Sequence, residues 1–291
     1  MTNWISIDEG KCNSCGICVA ICLRCFSKNE GRVEGVADET NCNLCGHCIA
    51  LCPQDAILHE KLDSDEFAKI DDKRRQTDAD SFIEFLKTRR THRNYLRKDI
   101  PNEILASLFE AARQAPTGSN TQDVQILVIR DQDKIERLID LTIRYYKQLV
   151  AKVERKAAKF ERAGKPLPPD LQWAKRRNRR YMQTIQIRES GKDPIFRGAR
   201  TILVFHSRPQ SSTPKDNCVI AAHTVVLTAV TLGIGSCYMG LFDDACNHSA
   251  AVAKELNLPE GNRAYSTLAI GYPKYTFLRT VYRKPLAVQW A

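Results

Sequence analysis

The sequence predicts an α+β protein in which a small cysteine-rich module precedes a larger body of strands and helices. Three observations predict it. One four-cysteine pattern occurs twice within the first sixty residues. Beyond residue 80, β-rich runs at Val124–Ile129, Thr201–Phe205 and Tyr265–Ile270 alternate with stretches of helical apolar spacing. The charge also changes sign along the chain. Residues 1–60 carry four Lys/Arg against eight Asp/Glu, or −4, while the remainder carries 40 against 26, or +14, giving +10 in all. A chain of 291 residues has room for one sizeable domain and a small one. The expected boundaries are a module over 1–60, a linker over 61–80 and a body over 81–291.

In the module, Trp4–Ile7 and Ala56–His59 flank the cysteines as short strands, and Gly31–Val36 reads as a hairpin. Residues 61–80 are charged and lack sustained periodicity, hence the linker. Ser81 with Glu84 forms a capping-box pattern, predicting a helix through about Thr88. Pro101 precedes an amphipathic run, Glu103–Gln114, with Ile104, Leu105, Leu108 and Ala112 on one face. Residues 141–187 form a basic helical insertion interrupted at Pro166–Pro169 and densest at Arg176, Arg177, Arg179 and Arg180. Solvated helix surface is the plain reading, and a docking surface for an anionic partner is the alternative. No nucleic-acid partner is expected, because no aromatic interleaving or reading motif accompanies the charge. Val219–Leu232 is almost uniformly apolar. With His223 and several threonines it falls short of a membrane span and reads as a buried helix, so no membrane partner is expected. Ala245–Leu256 is a last amphipathic helix.

The cysteine pattern is Cys12, Cys15, Cys18 and Cys22, then Cys42, Cys45, Cys48 and Cys52, the last followed by Pro53 where the first copy has Leu23. Zinc sites also use Cys-x-x-Cys pairs, but rarely add a third Cys at the same interval. Disulfide frameworks belong to oxidising compartments. The run resembles that of two-cluster bacterial ferredoxins, in which three close thiolates hold one 4Fe-4S cluster and the fourth serves the other. The resemblance implies Cys12, Cys15, Cys18 and Cys52 around one cluster, and Cys42, Cys45, Cys48 and Cys22 around the second. Nine of the 12 cysteines precede residue 60, and Met1–Ile5 shows neither a basic region nor an apolar run. A cytoplasmic location follows as an expectation.

A second site gathers from separated stretches: Arg89, Arg90, Thr91, His92 and Arg93; Ala115 to Gln122; Leu232 to Gly240; Ala269 to Pro273; and Arg283, Lys284 and Pro285. In this order they resemble the nitroreductase family of flavin mononucleotide (FMN) enzymes, over roughly residues 81–291. The resemblance implies a mixed central sheet flanked by helices in an interlocked homodimer. It implies FMN held by Arg89, Arg90, Thr91, Arg283 and Lys284 around the phosphate, with Arg93 near the pyrimidine end. Met239 and Gly240 then approach flavin N5, with Cys237 and Tyr238 adjoining. Pro116, Thr117, Gly118 and Asn120 reach in from the other subunit. Asp123 and Val124 follow Gln122 where the family usually has Pro-Trp.

The implied function is an iron–sulfur flavoprotein oxidoreductase passing electrons between its clusters and FMN and reducing a small electrophile: a nitroaromatic, quinone or activated alkene. No side chain is singled out as catalytic, since the chemistry belongs to flavin N5. Reduced ferredoxin is one donor and NAD(P)H the other. A different class stays open, an electron-transfer or redox-sensing protein without turnover.

Overall fold

The computed structural model describes residues 3–70 and 77–291, so residues 71–76 of the expected linker and the first two residues lie outside it. The chain divides into two compact units, one of Met1–Ala79 with Ser119–Thr121 and the other of Asp80–Gly118 with Gln122–Ala291.

The first unit is built on an internal repeat of thirty residues. Strand β1 (Ile5–Ile7) pairs antiparallel with β4 (Ile57–His59), and β2 (Phe26–Asn29) with β3 (Arg32–Gly35). Glu30 and Gly31, both at positive φ, make the two-residue turn of the second pair. Short helices α1 (Ile17–Ile21) and α2 (His47–Ala50) each follow a left-handed glycine, Gly16 and Gly46. Asp8 O accepts from Cys12 N, and Asp38 O from Cys42 N, so both cysteine runs start from the same turn. Ile5, Cys25, Phe26, Ala37 and Ile57 form the core. Within the expected linker, Ser64–Glu66 is one turn of 3-10 helix capped by Asp63.

The second unit carries a four-stranded sheet of order β5 (Gln125–Ile129), β6 (Thr201–Ser207), β8 (Arg263–Gly271), β7 (Gly235–Tyr238). The expected mixed sheet is antiparallel in all three of these strand pairs; parallel pairing enters only through a bridge between Thr91 and Ser236. Every residue of β6 is buried because the sheet is covered on both faces. Ile202 and Val204 pack with α5 (Gln132–Arg162), α6 (Pro169–Glu189), α8 (Gly240–His248) and α9 (Ala250–Leu256). Leu203 and Phe205 pack with α4 (Asn102–Arg113) and α7 (Pro214–Thr231).

Three boundaries differ from expectation for local reasons. Helix α3 (Ala79–Thr88) starts two residues before Ser81, so the capping-box serine lies inside its first turn. The single helix expected over Ala245–Leu256 is two, because extended Ser249 ends α8 and its Oγ accepts from Val252 N at the start of α9. The basic insertion is the antiparallel pair α5–α6, beginning at Gln132 well before residue 141. No helix among the described residues is long and apolar enough to cross a membrane.

Candidate functional site

The stretch Arg89–Arg93 lies alongside β7. His92 N donates to Ser236 O at 3.0 Å, next to the Thr91–Ser236 bridge. Glycine is required at Gly235, where a Cβ would stand 2.7 Å from the His92 ring. Tyr95 pins the segment from below, its hydroxyl donating to His92 O at 2.8 Å and Ala269 O at 3.1 Å.

This packing gathers cations. The Arg89 guanidinium is shifted down, first by burial, then by the nearby charges of Arg283 and Arg90, while the Tyr238 hydroxyl works the other way. Arg90 lies over the Phe277 ring at 5.4 Å, and its buried Nε has no hydrogen-bond partner among the described residues. Burial, then the charges of Arg90 and Arg89, push the His92 imidazole down. Three guanidinium groups crowd one spot, and one keeps an unspent buried donor. Such a place takes a polyanion: a phosphate supplies the missing acceptors and relieves the repulsion. Among the candidates from sequence, Arg89, Arg90, Thr91, Tyr238 and Arg283 therefore come together.

Cys237 is buried, and burial is the main cause raising its thiol, opposed by Arg93 and Arg197. That places Arg93 beside the Ser236–Gly240 edge and marks Cys237 as a packed thiol. Met239 is buried, its N–H donating to Thr267 O at 2.9 Å. Gly240 opens α8 with space where a Cβ would be. Lys284 lies in the exposed terminal segment.

The Pro116–Asn120 stretch is held elsewhere. Gly118 N donates to Asn217 Oδ1 at 2.8 Å, and Thr117 Oγ1 accepts from Gln122 N at 3.0 Å. A Cβ on Gly118 would collide with Thr213 Oγ1. Asn120 groups with the first unit, its Nδ2 donating to the carbonyls of Asn43 and Leu44 at 3.0 Å each. Pro116 is exposed.

Several participants carried no sequence signal. Arg197, in a left-handed turn, reaches the field of Cys237. Phe277 supplies the ring under Arg90 and meets the His92 ring at 5.2 Å. Asp243, just inside α8, has a carboxyl pushed up to about 7 by burial, only partly offset by Thr267, and its Oδ1 lacks a hydrogen-bond partner among the described residues. Asn217 fixes the Gly118 loop, donating also to Ser212 O at 2.7 Å and to Asp123 Oδ1 at 3.4 Å. Ser207 donates to the other Asp123 oxygen.

In the first unit, Cys12, Cys15, Cys18 and Cys52 line one small cavity with Ile7 and Ile57. Around Cys48, whose thiol is pushed up to about 11 mainly by burial, the sulfurs that add to the shift are Cys45, Cys22 and Cys42. Each set of neighbours thus takes three cysteines from one copy of the repeat and the fourth from the other. Leu44 N donates to Cys42 Sγ at 3.4 Å and Ala56 N to Cys52 Sγ at 3.3 Å, contacts that stabilise thiolates. Among the described residues no three His, Cys, Asp or Glu side chains converge to hold a single metal ion. A cubane needs no such convergence, because each thiolate meets its own iron. The residues present fit two clusters.

Comparison with known proteins gives the frame. Residues 86–272 match the model of the nitroreductase family, a match that begins after the cysteines. A protein of Archaeoglobus fulgidus named as a candidate NADH dehydrogenase/NAD(P)H nitroreductase is 23% identical over 196 residues, 66% of this chain and 85% of its own length. A Bacteroides fragilis nitroreductase crystallised with bound FMN superposes with a TM-score of 0.53 at 22% identity, covering 74% of this chain and 100% of that one. A BluB-like flavoprotein of Clostridium difficile reaches 0.54 at 16% identity, covering 70% and 94%. At these identities the solved structures speak for the fold alone.

Proposed function

Because the chain belongs to the nitroreductase family, we propose that it is an FMN-dependent oxidoreductase whose amino-terminal cysteines hold two 4Fe-4S clusters. The observation that carries the flavin assignment is the crowding of Arg89, Arg90 and Arg283 around a buried, unpartnered Nε. These groups and the Thr91 hydroxyl hold the phosphate, with Lys284 following Arg283 in the chain. Arg93, beside the Ser236–Gly240 edge, offers positive charge to the pyrimidine end. Met239 and Gly240 give a backbone approach to the ring, since Gly240 has nothing within 4 Å of a Cβ position.

Cys12, Cys15, Cys18 and Cys52 hold one cluster, and Cys42, Cys45, Cys48 and Cys22 the other. Bound, the clusters supply single electrons, and FMN supplies hydride chemistry toward a small electrophile such as a nitroaromatic, quinone or activated alkene. The protein's own part is to bind, orient and exclude water, and no side-chain acid is required of it. The domains are a cluster module over 1–60, a linker over 61–80 and a flavin body over 81–291. A homodimer completes the flavin site through Pro116–Asn120. The outer face of α7, where Val219 and Ile220 are 38% and 40% exposed, supports it.

The donor is reduced ferredoxin or NAD(P)H, the latter favoured in the name of the Archaeoglobus relative. Anaerobic purification with iron, sulfide and flavin counted per chain tests the cofactors, and rapid mixing with NADPH or reduced ferredoxin tests the donor. A colourless preparation lacking both groups refutes the proposal.

A further inference from the structure

Formal charge in this chain sits on one helical hairpin. Residues 141–187 hold thirteen Lys/Arg and three Asp/Glu, a net +10 that equals the charge of the whole chain, so the rest sums to zero. Two of the three carboxylates there are already engaged. Glu161 pairs with Lys175 at 2.8 Å, and Glu154 accepts from Asn178 Nδ2 at 2.8 Å. Arg176, Arg179 and Arg180 on α6, and Lys152, Arg155, Lys156, Lys159 and Arg162 on α5, are exposed without a carboxylate partner among the described residues. Solvated helices usually balance such charge with i,i+4 pairs, and this pair does not.

The cations frame a shape. A groove of about 330 Å³ runs between the two helices, with Arg176 and Arg179 along it, Leu167 and Met182 as its apolar lining, and Asn178 within it. Asn178 is 2% exposed, and its Oδ1 has no hydrogen-bond partner among the described residues. Trp173 stands 58% exposed beside it. Arginine, tryptophan and methionine together are the composition of protein-recognition patches. Unpaired cations beside an exposed aromatic ring call for a ligand that carries carboxylates on a packed surface, which an acidic polypeptide has. Polynucleotides fit less well. Arg177 already lies over the Trp173 ring at 4.6 Å and the Tyr181 ring at 5.4 Å, covering the aromatic faces on which bases would stack. Membrane binding needs a continuous apolar stripe, and here Trp173 and Met182 stand apart among charges.

We propose that the α5–α6 hairpin is the docking surface for an acidic electron-carrier protein, with carboxylates of the carrier meeting Arg176 and Arg179 along the groove and the exposed Arg180 that follows them in α6. This rests on the reading of the chain as a flavin oxidoreductase, and it names the class of donor.

The test uses the full chain as purified and the triple variant Arg176→Glu, Arg179→Glu, Arg180→Glu, with an acidic bacterial ferredoxin as probe. Binding is read by titration calorimetry at low and high salt, and reduction of the bound flavin is read by rapid mixing. The wild type should bind the ferredoxin at low salt and weaken about tenfold or more with added salt, and the variant should lose binding at least tenfold. Reduction by dithionite should be equal in both, and an Arg176→Gln, Arg179→Gln, Arg180→Gln protein with unchanged thermal midpoint should fall between them. Equal ferredoxin binding by wild type and variant overturns the proposal. So does tighter binding of duplex DNA or of anionic phospholipid vesicles than of ferredoxin. Calorimetry needs no flavin, so a preparation without FMN would sink the functional reading while leaving this one to be decided.

Discussion

Asn217→Ala should be the most informative single change in the second unit. Asn217 is 1% exposed, and its side chain hydrogen-bonds to Gly118, Thr213, Ser212 and Asp123. Oδ1 accepts from Gly118 N at 2.8 Å and Thr213 Oγ1 at 3.0 Å, and Nδ2 donates to Ser212 O at 2.7 Å and Asp123 Oδ1 at 3.4 Å. Each such bond is worth about 1 kcal/mol net, and orphaned buried partners add to the loss. Alanine regains about 0.5 kcal/mol of helix propensity within α7. The sum is a loss of about 3–4 kcal/mol, or roughly 6–12 °C in the unfolding midpoint of a unit this size. Calorimetry of the cofactor-loaded protein measures it. Asn217→Asp sharpens the test, because it keeps the Oδ1 that accepts from Gly118 and Thr213 but replaces the Nδ2 donor with a carboxylate oxygen facing Asp123. It should be worse than alanine at pH 8 and recover on acidification as one carboxyl takes a proton. A midpoint within about 1 °C of wild type for Asn217→Ala would refute the claim that this residue fixes the Gly118 loop.

Other outcomes follow from the same geometry. Arg89→Ala should weaken FMN binding about 10–100-fold, the worth of a charge-assisted phosphate contact, read as flavin retained during ultrafiltration. Asp243 is raised to about 7 in the fold, above its unfolded value. The native state therefore holds this proton more tightly, and stability is lost as pH rises from about 4 through about 7. Asp243→Asn should match wild type near pH 4 and be the more stable protein at pH 8, as shown by denaturant midpoints across pH. Cys52→Ser should disturb the cluster of Cys12, Cys15 and Cys18 while leaving the one of Cys42, Cys45 and Cys48 intact. Roughly half the iron would then be lost, with one of two paramagnetic signals changed; loss of the signal assigned to the second set would contradict the crossed assignment.

The sequence made some of this legible because the physics was local. Cysteine spacing, the turn glycines and the apolar run of β6 each constrain a few neighbouring residues, and all appear where periodicity places them. Boundaries drifted where a single side chain decides. Ser249 divides one amphipathic run into two helices by capping, and nothing in the apolar spacing announces it. The arginine group was legible as a set of types, but its convergence depends on β7 lying beside Arg89–Arg93 and on residues after Tyr272 returning to it. Phe277 and Arg197 belong to no local pattern. Asp123 read only as a departure from the family's usual proline; in the fold it accepts from Ser207 and Asn217, an arrangement a proline could not make.

A tetrahedral zinc draws four sulfurs toward one point, with metal–sulfur distances of about 2.3 Å. Here Cys12, Cys15, Cys18 and Cys52 line one apolar-walled cavity. A 4Fe-4S cluster, by contrast, asks each thiolate for one iron. N–H groups are directed at Cys42 and Cys52, one in each set, and Ile7 and Ile57 keep solvent from the first. Burial raises the thiols of Cys18 and Cys48, so without metal these positions favour the neutral form and loading must release protons. The turns at Asp8 and Asp38 set both cysteine runs through the same backbone bonds.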